Sequence, residues 1–464
     1  MHQDSPAVGL GAAAEDADGW AALPAESQTA LALSSELVGL LGAACAQAGQ
    51  ASAAEAAGSL RDAAAQSMRM RPVTAAMRAV FMTACVAEAA AHLYAAAPPA
   101  DDPEMADADD ADAARTASIR LALNALDRGL LVSGAPVAAA EALAWVAALQ
   151  AHLAAVDRHP LMMHPAVHLA DGLGPHDPPP ARVAAVVASI DAASRVPVCM
   201  APLSASQFQR RMLDGRPFVI RGAIDGWPCF GARPWTSTAQ WLESVGADRL
   251  VPVEVGAAYT DPDWTQRLVP MAHLIEHMLE CEDQDDGDRA TAGSGVGGSQ
   301  DSSTDARPPR MYLAQFDLFA QAPHLDADAP VPDLCLAPPA RPDGGSDGRP
   351  HDVIRSVWLG PGGTVSPLHT DPHDNLFAQI VGFKRVRMAA PADTPRVYPH
   401  AAASLMANTA RVDVERPDAA AFPLFGGVRL AECVVGPGDM LFIPRGWWHH
   451  VRSLTSSASV SFWF

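Results

Sequence analysis

The chain has 464 residues, enough for about two to three domains and a sizeable buried core. Its formal charge of −21, with no basic tract, argues against a nucleic-acid binder and suits a partner with basic side chains. Seven scattered cysteines without a CxxC pair argue against a disulfide frame or a zinc module, and for an intracellular protein, nuclear or cytoplasmic.

Residues 1–22 are Ala-, Gly- and Asp-rich and are expected to be disordered, with no basic-then-apolar secretory signal. From residue 23 to 158 the spacing predicts an all-α domain, a candidate surface for protein–protein contacts. Its helices are expected over Ser27–Ala48, Ser52–Met68, Val73–Ala96, Thr116–Gly129 and Pro136–Val156. The acidic run from Asp101 to Asp112 reads as a solvated loop between two of them. The most apolar stretch, 72–97, carries Arg78, Glu88 and His92, so a buried helix is expected rather than a membrane span.

Residues 159–195 form a Pro- and His-rich linker ending in a short helix over 181–193. His164 and His168 have helical metal-ligand spacing, but Pro165 breaks a helix between them, and a surface linker is the expectation.

From 196 to 464 the texture becomes β. Strands are expected at 217–222, 250–255, 353–359, 375–381, 384–388, 432–435, 440–443, 451–454 and 457–464, with a helix over 235–245. Two low-complexity stretches, 283–309 and 337–352, read as flexible insertions within this domain. Many short strands with Gly/Pro turns predict a barrel or double-sheet fold, so the fold class is α+β.

Two motifs carry the chemistry. Gly363, His369, Asp371, Asn375 and Gly382 follow the form G-x5-H-x-D-x3-N-x6-G. Gly438, Pro444, Gly446 and His449 follow G-x5-P-x-G-x2-H. In this order they resemble the paired motifs of cupin double-stranded β-helices. His369, Asp371 and His449 then form a 2-His-1-carboxylate set with open positions, as in non-haem Fe(II) oxygenases. His450 falls on the opposite strand face and His351, His373 and His400 fall outside the template, so none of these is expected to be a ligand.

An oxidation of this kind draws two electrons from a cosubstrate such as 2-oxoglutarate, a dianion that needs a cation deep in the pocket. Lys384 alternates with apolar Val386 and Met388, whereas Arg385 and Arg387 take the other face. A lysine on an apolar face should have an anionic partner. Ser366 and Asn375 flank the motif as hydrogen-bonding candidates. Trp463 shares a face with Ser457, Ser459 and Ser461, a face suited to lining the cavity or to core packing.

The chain resembles a known family at residues 200–464. Tyr312 to Gln315, Trp358 to Asp371, Gly438 to Pro444 and Ser459 to Trp463 look like the jumonji-C (JmjC) oxygenases. The nearest subgroup is the JmjC-only arginyl-hydroxylase or lysine demethylase 8 type. The resemblance implies Fe(II) on His369, Asp371 and His449, and O2 as second cosubstrate. It implies 2-oxoglutarate on Tyr312, Ser366, Asn375 and Lys384. It also implies a substrate pocket of Glu254, Trp264, Gln315, Trp358 and Trp463, with Glu254 pairing a guanidinium. Arginine hydroxylation of a protein is the leading expectation. Lysine demethylation by the same iron chemistry, a cupin using another metal without 2-oxoglutarate, and a non-catalytic adaptor are the alternatives. A peptidase role has no HExxH or nucleophile dyad to support it.

Overall fold

The structure, a computed structural model, describes residues 75–95, 108–133, 139–164, 166–256, 258–292, 309–336 and 353–464, with short pieces between 57 and 65; for 75–77, 80, 94–95, 108–111, 139–141 and 283–292 it describes the backbone alone. The expected disorder at 1–22, the helix over 27–48, most of 52–68, and the stretches 293–308 and 337–352 lie outside these residues.

The chain divides into two compact units, residues 1–158 with 248–250, and residues 159–247 with 251–464. The first contains α1 (Ala75–Ala95), α2 (Ala108–Ser133) and α3 (Ala139–Val156). Met82 and Ala89 of α1 meet Ile119, Leu123 and Leu126 of α2 in one apolar cluster, joined by Val146 and Leu153 of α3. Gly129 lets the turns approach: a Cβ there would lie 2.7 Å from Met82 Sδ. The acidic run is not wholly loop, because α2 begins at Ala108 and takes Asp109, Asp110 and Asp112 into its first turns. Among the described residues, no helix is long and apolar enough to cross a membrane.

The second unit begins with α4 (Ala181–Ser189), β1 (Val198–Met200), α5 (Ala205–Leu213) and β2 (Phe218–Arg221). Ser204 and Gln207 close a capping box on α5. There follow β3 (Leu250–Val255), β4 (Thr265–Pro270), α6 (Met271–Ala292) and β5 (Met311–Phe316). The helix α6 continues ten residues into the stretch expected to be an insertion from 283. Then come β6 (Ile354–Gly360), β7 (Val365–Thr370), β8 (Asn375–Val381) and β9 (Lys384–Ala389). The last four are β10 (Ala431–Val435), β11 (Met440–Ile443), β12 (Trp448–Ser453) and β13 (Ser457–Trp463).

These strands form a nine-stranded sheet in the order β1-β2-β11-β8-β13-β6-β5-β3-β4 and a four-stranded sheet in the order β10-β9-β12-β7. The central strands β8 and β13 are buried at every position, as strands covered on both faces should be. Gly382 makes the tight turn between β8 and β9, with φ +68° and Ser456 O where a Cβ would stand.

Candidate functional site

One cavity of about 340 Å³, counting its mouth, lies between the two sheets. His369, Ser366, Lys384, His449 and Val451 face it from the small sheet. Tyr312, Trp358, Asn375, Phe377, Ile443, Ser461 and Trp463 face it from the large one, and Asp371 enters from the loop after β7.

His369 and His449 are cross-strand partners in the β7–β12 pair. The ladder then slips: Val451 pairs with Ser366, so three steps on β7 oppose two on β12. That bulge contains Pro367, which has no N–H to give a ladder. Its effect is to turn both Ser366 and His369 inward, although an odd spacing of three would put them on opposite faces of a regular strand. The freed Pro367 carbonyl lies 2.7 Å from His369 Nδ1, and Trp447 O lies 3.0 Å from His449 Nδ1. Each ring therefore donates from Nδ1 to a backbone oxygen, which leaves Nε2 as the atom turned to Asp371.

The two Nε2 atoms approach Asp371 at 3.8 Å from His369 and 3.5 Å from His449. All three ligand atoms lie within 4.8 Å of one another, the only such group of ligating side chains among the described residues. Adjacent ligands on an ion with bonds of about 2.1 Å stand about 3 Å apart, so this trio fits one cation. Gly446 N donates to Asp371 O at 2.9 Å and ties the loop bearing the carboxylate to the turn before β12. Trp463 Nε1 donates to Asp371 Oδ2 at 2.8 Å.

Burial and the neighbouring His449 push His369 down to about 4, so this ring is neutral near pH 7. Burial raises Asp371, but both imidazoles and the Trp463 N–H outweigh it and hold the carboxyl well below its usual range. Burial lowers His449, but Asp371 outweighs it and raises that ring. An ionised carboxylate thus stands between two imidazoles, an arrangement that a divalent cation satisfies. His450 lies on the far face of β12, where burial pushes it down to about 4 against the pull of Glu415.

At the other end of the cavity Lys384 is 1% exposed. Its Nζ donates to Tyr312 Oη at 3.2 Å and lies 5.6 Å and 5.3 Å from the Tyr312 and Phe377 ring centres. No carboxylate pairs with it among the described residues, and burial pushes its pKa down to about 7. The expected anionic partner is thus not a side chain among the described residues. Asn375 Oδ1 is also buried without a hydrogen-bond partner. An unpaired cation beside an orphaned amide is the setting an anionic ligand completes.

Glu254, Trp264 and Gln315 do not line this cavity. Glu254 is the β3 register partner of Tyr312, so the two side chains share one sheet face. Burial raises its pKa; the Trp264 indole beside it opposes the rise without reaching full hydrogen-bond geometry. No cation pairs with Glu254 among the described residues. Trp264 packs over Gly256, where a Cβ would meet its backbone at 3.4 Å. Gln315 is exposed, with φ +50°, where the β5–β6 register slips between Leu313 and Phe316. Trp358 does line the cavity, but its indole N–H is committed to Ser461 Oγ at 3.0 Å. Ser457 and Ser459 are taken up by Gln379, and only Ser461 and Trp463 of the small-residue face reach the cavity.

Sequence reasoning did not single out Phe377, Ile443 and Val451, whose only signal is alternation on their strands. Tyr259 was also not placed; its hydroxyl pairs with Thr409 Oγ1 at 3.2 Å, and burial, opposed by that hydrogen bond and aided by Glu254 and Asp371, pushes its pKa up to about 12.

The sequence profile of a cupin-like domain matches residues 204–464. The chain belongs to the cupin-like domain family. Within it, the chain is 40% identical to a zebrafish (Danio rerio) protein named lysine-specific demethylase 8 over 262 residues, 56% of each chain. It is 36% identical to a Drosophila melanogaster Jumonji C domain-containing protein 5 over 270 residues, 58% of this chain and 59% of that one. It is 35% identical to Arabidopsis thaliana lysine-specific demethylase JMJ30 over 254 residues, 54% and 50% respectively. The chain thus spans between half and about three fifths of the length of these curated relatives. The residues that match the cupin-like profile include all three candidate metal ligands, His369, Asp371 and His449.

Proposed function

We propose that this protein is an Fe(II)- and 2-oxoglutarate-dependent oxygenase that hydroxylates an arginine side chain of a protein substrate. The observation that carries the reading is a single cavity with His369, Asp371 and His449 at one end and an unpaired, buried Lys384 at the other. Iron and 2-oxoglutarate, bound together, supply a two-electron oxidation in which one oxygen of O2 enters a C–H bond and the cosubstrate leaves as succinate and CO2.

The chain's own residues bind and orient. His369, Asp371 and His449 would hold the iron, with imidazole tautomers preset by Pro367 O and Trp447 O. Lys384, Tyr312 and Ser366 would hold the distal carboxylate of the cosubstrate, and Asn375 would donate to it from the side. A buried lysine attracts a dianion strongly because its own desolvation is already met by folding and the attraction acts in a low dielectric. Glu254 would draw the guanidinium to the site as a charged partner on the Tyr312 face of the sheet.

The names of the relatives favour lysine demethylation as a second reading. A methyl-lysine site needs several aromatic faces around one gap. Here Tyr312, Trp358 and Trp463 lean on one another at 6.0 Å and 6.5 Å between ring centres, which is packing distance. Glu254 has no cation partner among the described residues and suits a guanidinium fork.

The test is 2-oxoglutarate turnover with Fe(II), on arginyl and on methyl-lysyl peptides, with His369→Ala as control. A gain of one oxygen on arginine is expected. Loss of methyl groups instead would replace the arginine reading with the demethylase one, and no peptide-dependent turnover would remove both.

A further inference from the structure

Among the described residues that line the cavity, Asn375 alone has a fully buried side-chain oxygen without a hydrogen-bond partner. Its Nδ2 lies 3.4 Å from Ser461 Oγ, and its Oδ1 is buried with no partner. Ser461 Oγ at the same time accepts the Trp358 indole N–H at 3.0 Å. In this arrangement Ser461 faces two donors and keeps a hydroxyl proton it cannot use between them. The amide oxygen meanwhile has no donor, beside a cavity whose expected ligand consists of acceptors.

A half-turn of the amide removes both faults. Trp358 Nε1–H then donates to Ser461 Oγ, Ser461 Oγ–H donates to Asn375 Oδ1, and the two Nδ2 protons point into the cavity. The strand order makes this relay possible. β13 lies between β6 and β8, and Ser461 is diagonal to Trp358 on one neighbour and to Asn375 on the other. Ser461 is 1% exposed, so water does not compete for its hydroxyl.

We propose that Ser461 is a positioning residue that, oriented by Trp358, fixes the Asn375 amide with its N–H donors toward the bound cosubstrate. This deepens the proposed function and rests on 2-oxoglutarate as the ligand of Asn375. It also gives Trp358 a role different from the expected one: its indole N–H directs a hydroxyl instead of meeting the substrate.

The test is 2-oxoglutarate affinity measured by calorimetry on the full chain with Mn(II), which requires no turnover. Ser461→Ala, and Ser461→Cys as a variant that keeps the volume, should each weaken 2-oxoglutarate roughly 3- to 10-fold, with Mn(II) affinity unchanged. Asn375→Asp should bind at least about tenfold worse than Asn375→Ala. With Asp there, Ser461 satisfies one oxygen and the other faces the ligand's carboxylate. Wild-type affinity in both Ser461 variants, or Asn375→Asp binding as well as Asn375→Ala, overturns the relay. If the wild type with Mn(II) binds no 2-oxoglutarate, the reading of the site itself fails, which is a distinct result.

Discussion

Replacing Lys384 with Met should stabilise the ligand-free protein and abolish its response to 2-oxoglutarate. The amine is 1% exposed, makes one hydrogen bond to Tyr312 Oη, and has no carboxylate partner among the described residues. Its charge is therefore a net cost until a ligand arrives. Met keeps the length and most of the volume and removes the charge, and Tyr312 keeps Ser366 as a hydrogen-bond partner. Exchanging a poorly compensated buried charge for a packed apolar group stabilises by about 1–4 kcal/mol. At about 2–4 °C per kcal/mol for a domain of this size, Tm should rise by several degrees.

The sign with pH follows from linkage. Burial takes Lys384 from its usual 10.5 down to about 7, so between these values the unfolded chain binds more protons than the native one. Wild-type stability from this group then rises with pH through that window, and the penalty is fully present below about pH 7. The gain of Lys384→Met over wild type should be largest near pH 6.5 and vanish only above about pH 10.5. Losing one side of a desolvated ion pair costs about 2–5 kcal/mol, so 2-oxoglutarate affinity should fall roughly 30- to 4,000-fold. Thermal melts across pH, with and without 2-oxoglutarate and Mn(II), read both effects. A lower Tm for Lys384→Met at pH 6.5, or an unchanged shift with 2-oxoglutarate, would refute the idea of an unpaired cation awaiting an anion.

The same lysine predicts that 2-oxoglutarate binding takes up close to one proton at pH 8.5 and almost none at pH 6, because the dianion restores the raised pKa; calorimetry in buffers of different ionisation enthalpy measures this. Glu254→Gln should raise KM for an arginyl peptide roughly 10- to 100-fold and leave 2-oxoglutarate affinity alone, since Glu254 lies outside the cavity wall; equal KM values in a peptide titration would remove Glu254 from the recognition of arginine. Gly382→Ala should destabilise by more than ~3 kcal/mol, because φ is +68° and the new Cβ would stand 1.9 Å from Ser456 O; a denaturation midpoint near wild type would contradict the turn as described.

The motif spacing made the site legible from both ends. Period-2 alternation placed Lys384 on the inner face of β9, where the burial pattern also puts it. The same arithmetic fails on β7. Ser366 and His369 both line the cavity at a spacing that a regular strand forbids, and only the bulge at Pro367 reconciles them. Proline inside a strand was the available signal. The partners of Trp358 and Trp463 were not legible either. Which way an indole N–H points depends on neighbouring strands far away in sequence, Ser461 for one and Asp371 for the other. Glu254 is a related case: the resemblance put it in the pocket, but the register sets it beside Tyr312, off the cavity wall.

Two bulges therefore organise the site, one at each side. The β7 bulge turns His369 toward the metal ligands and hands its Nδ1 a carbonyl. The β5 bulge turns Gln315 into left-handed backbone and out to solvent, on the strand that carries Tyr312. A non-glycine residue in that conformation costs about 1–2 kcal/mol and persists because the flanking ladder holds it. The regular parts of β5 and β7 fix Tyr312 and Ser366 at the cosubstrate end, whereas the irregular parts aim His369 at the metal and expose Gln315. Straightening β7 by replacing Pro367 would therefore disturb the metal end first, before it reached Lys384.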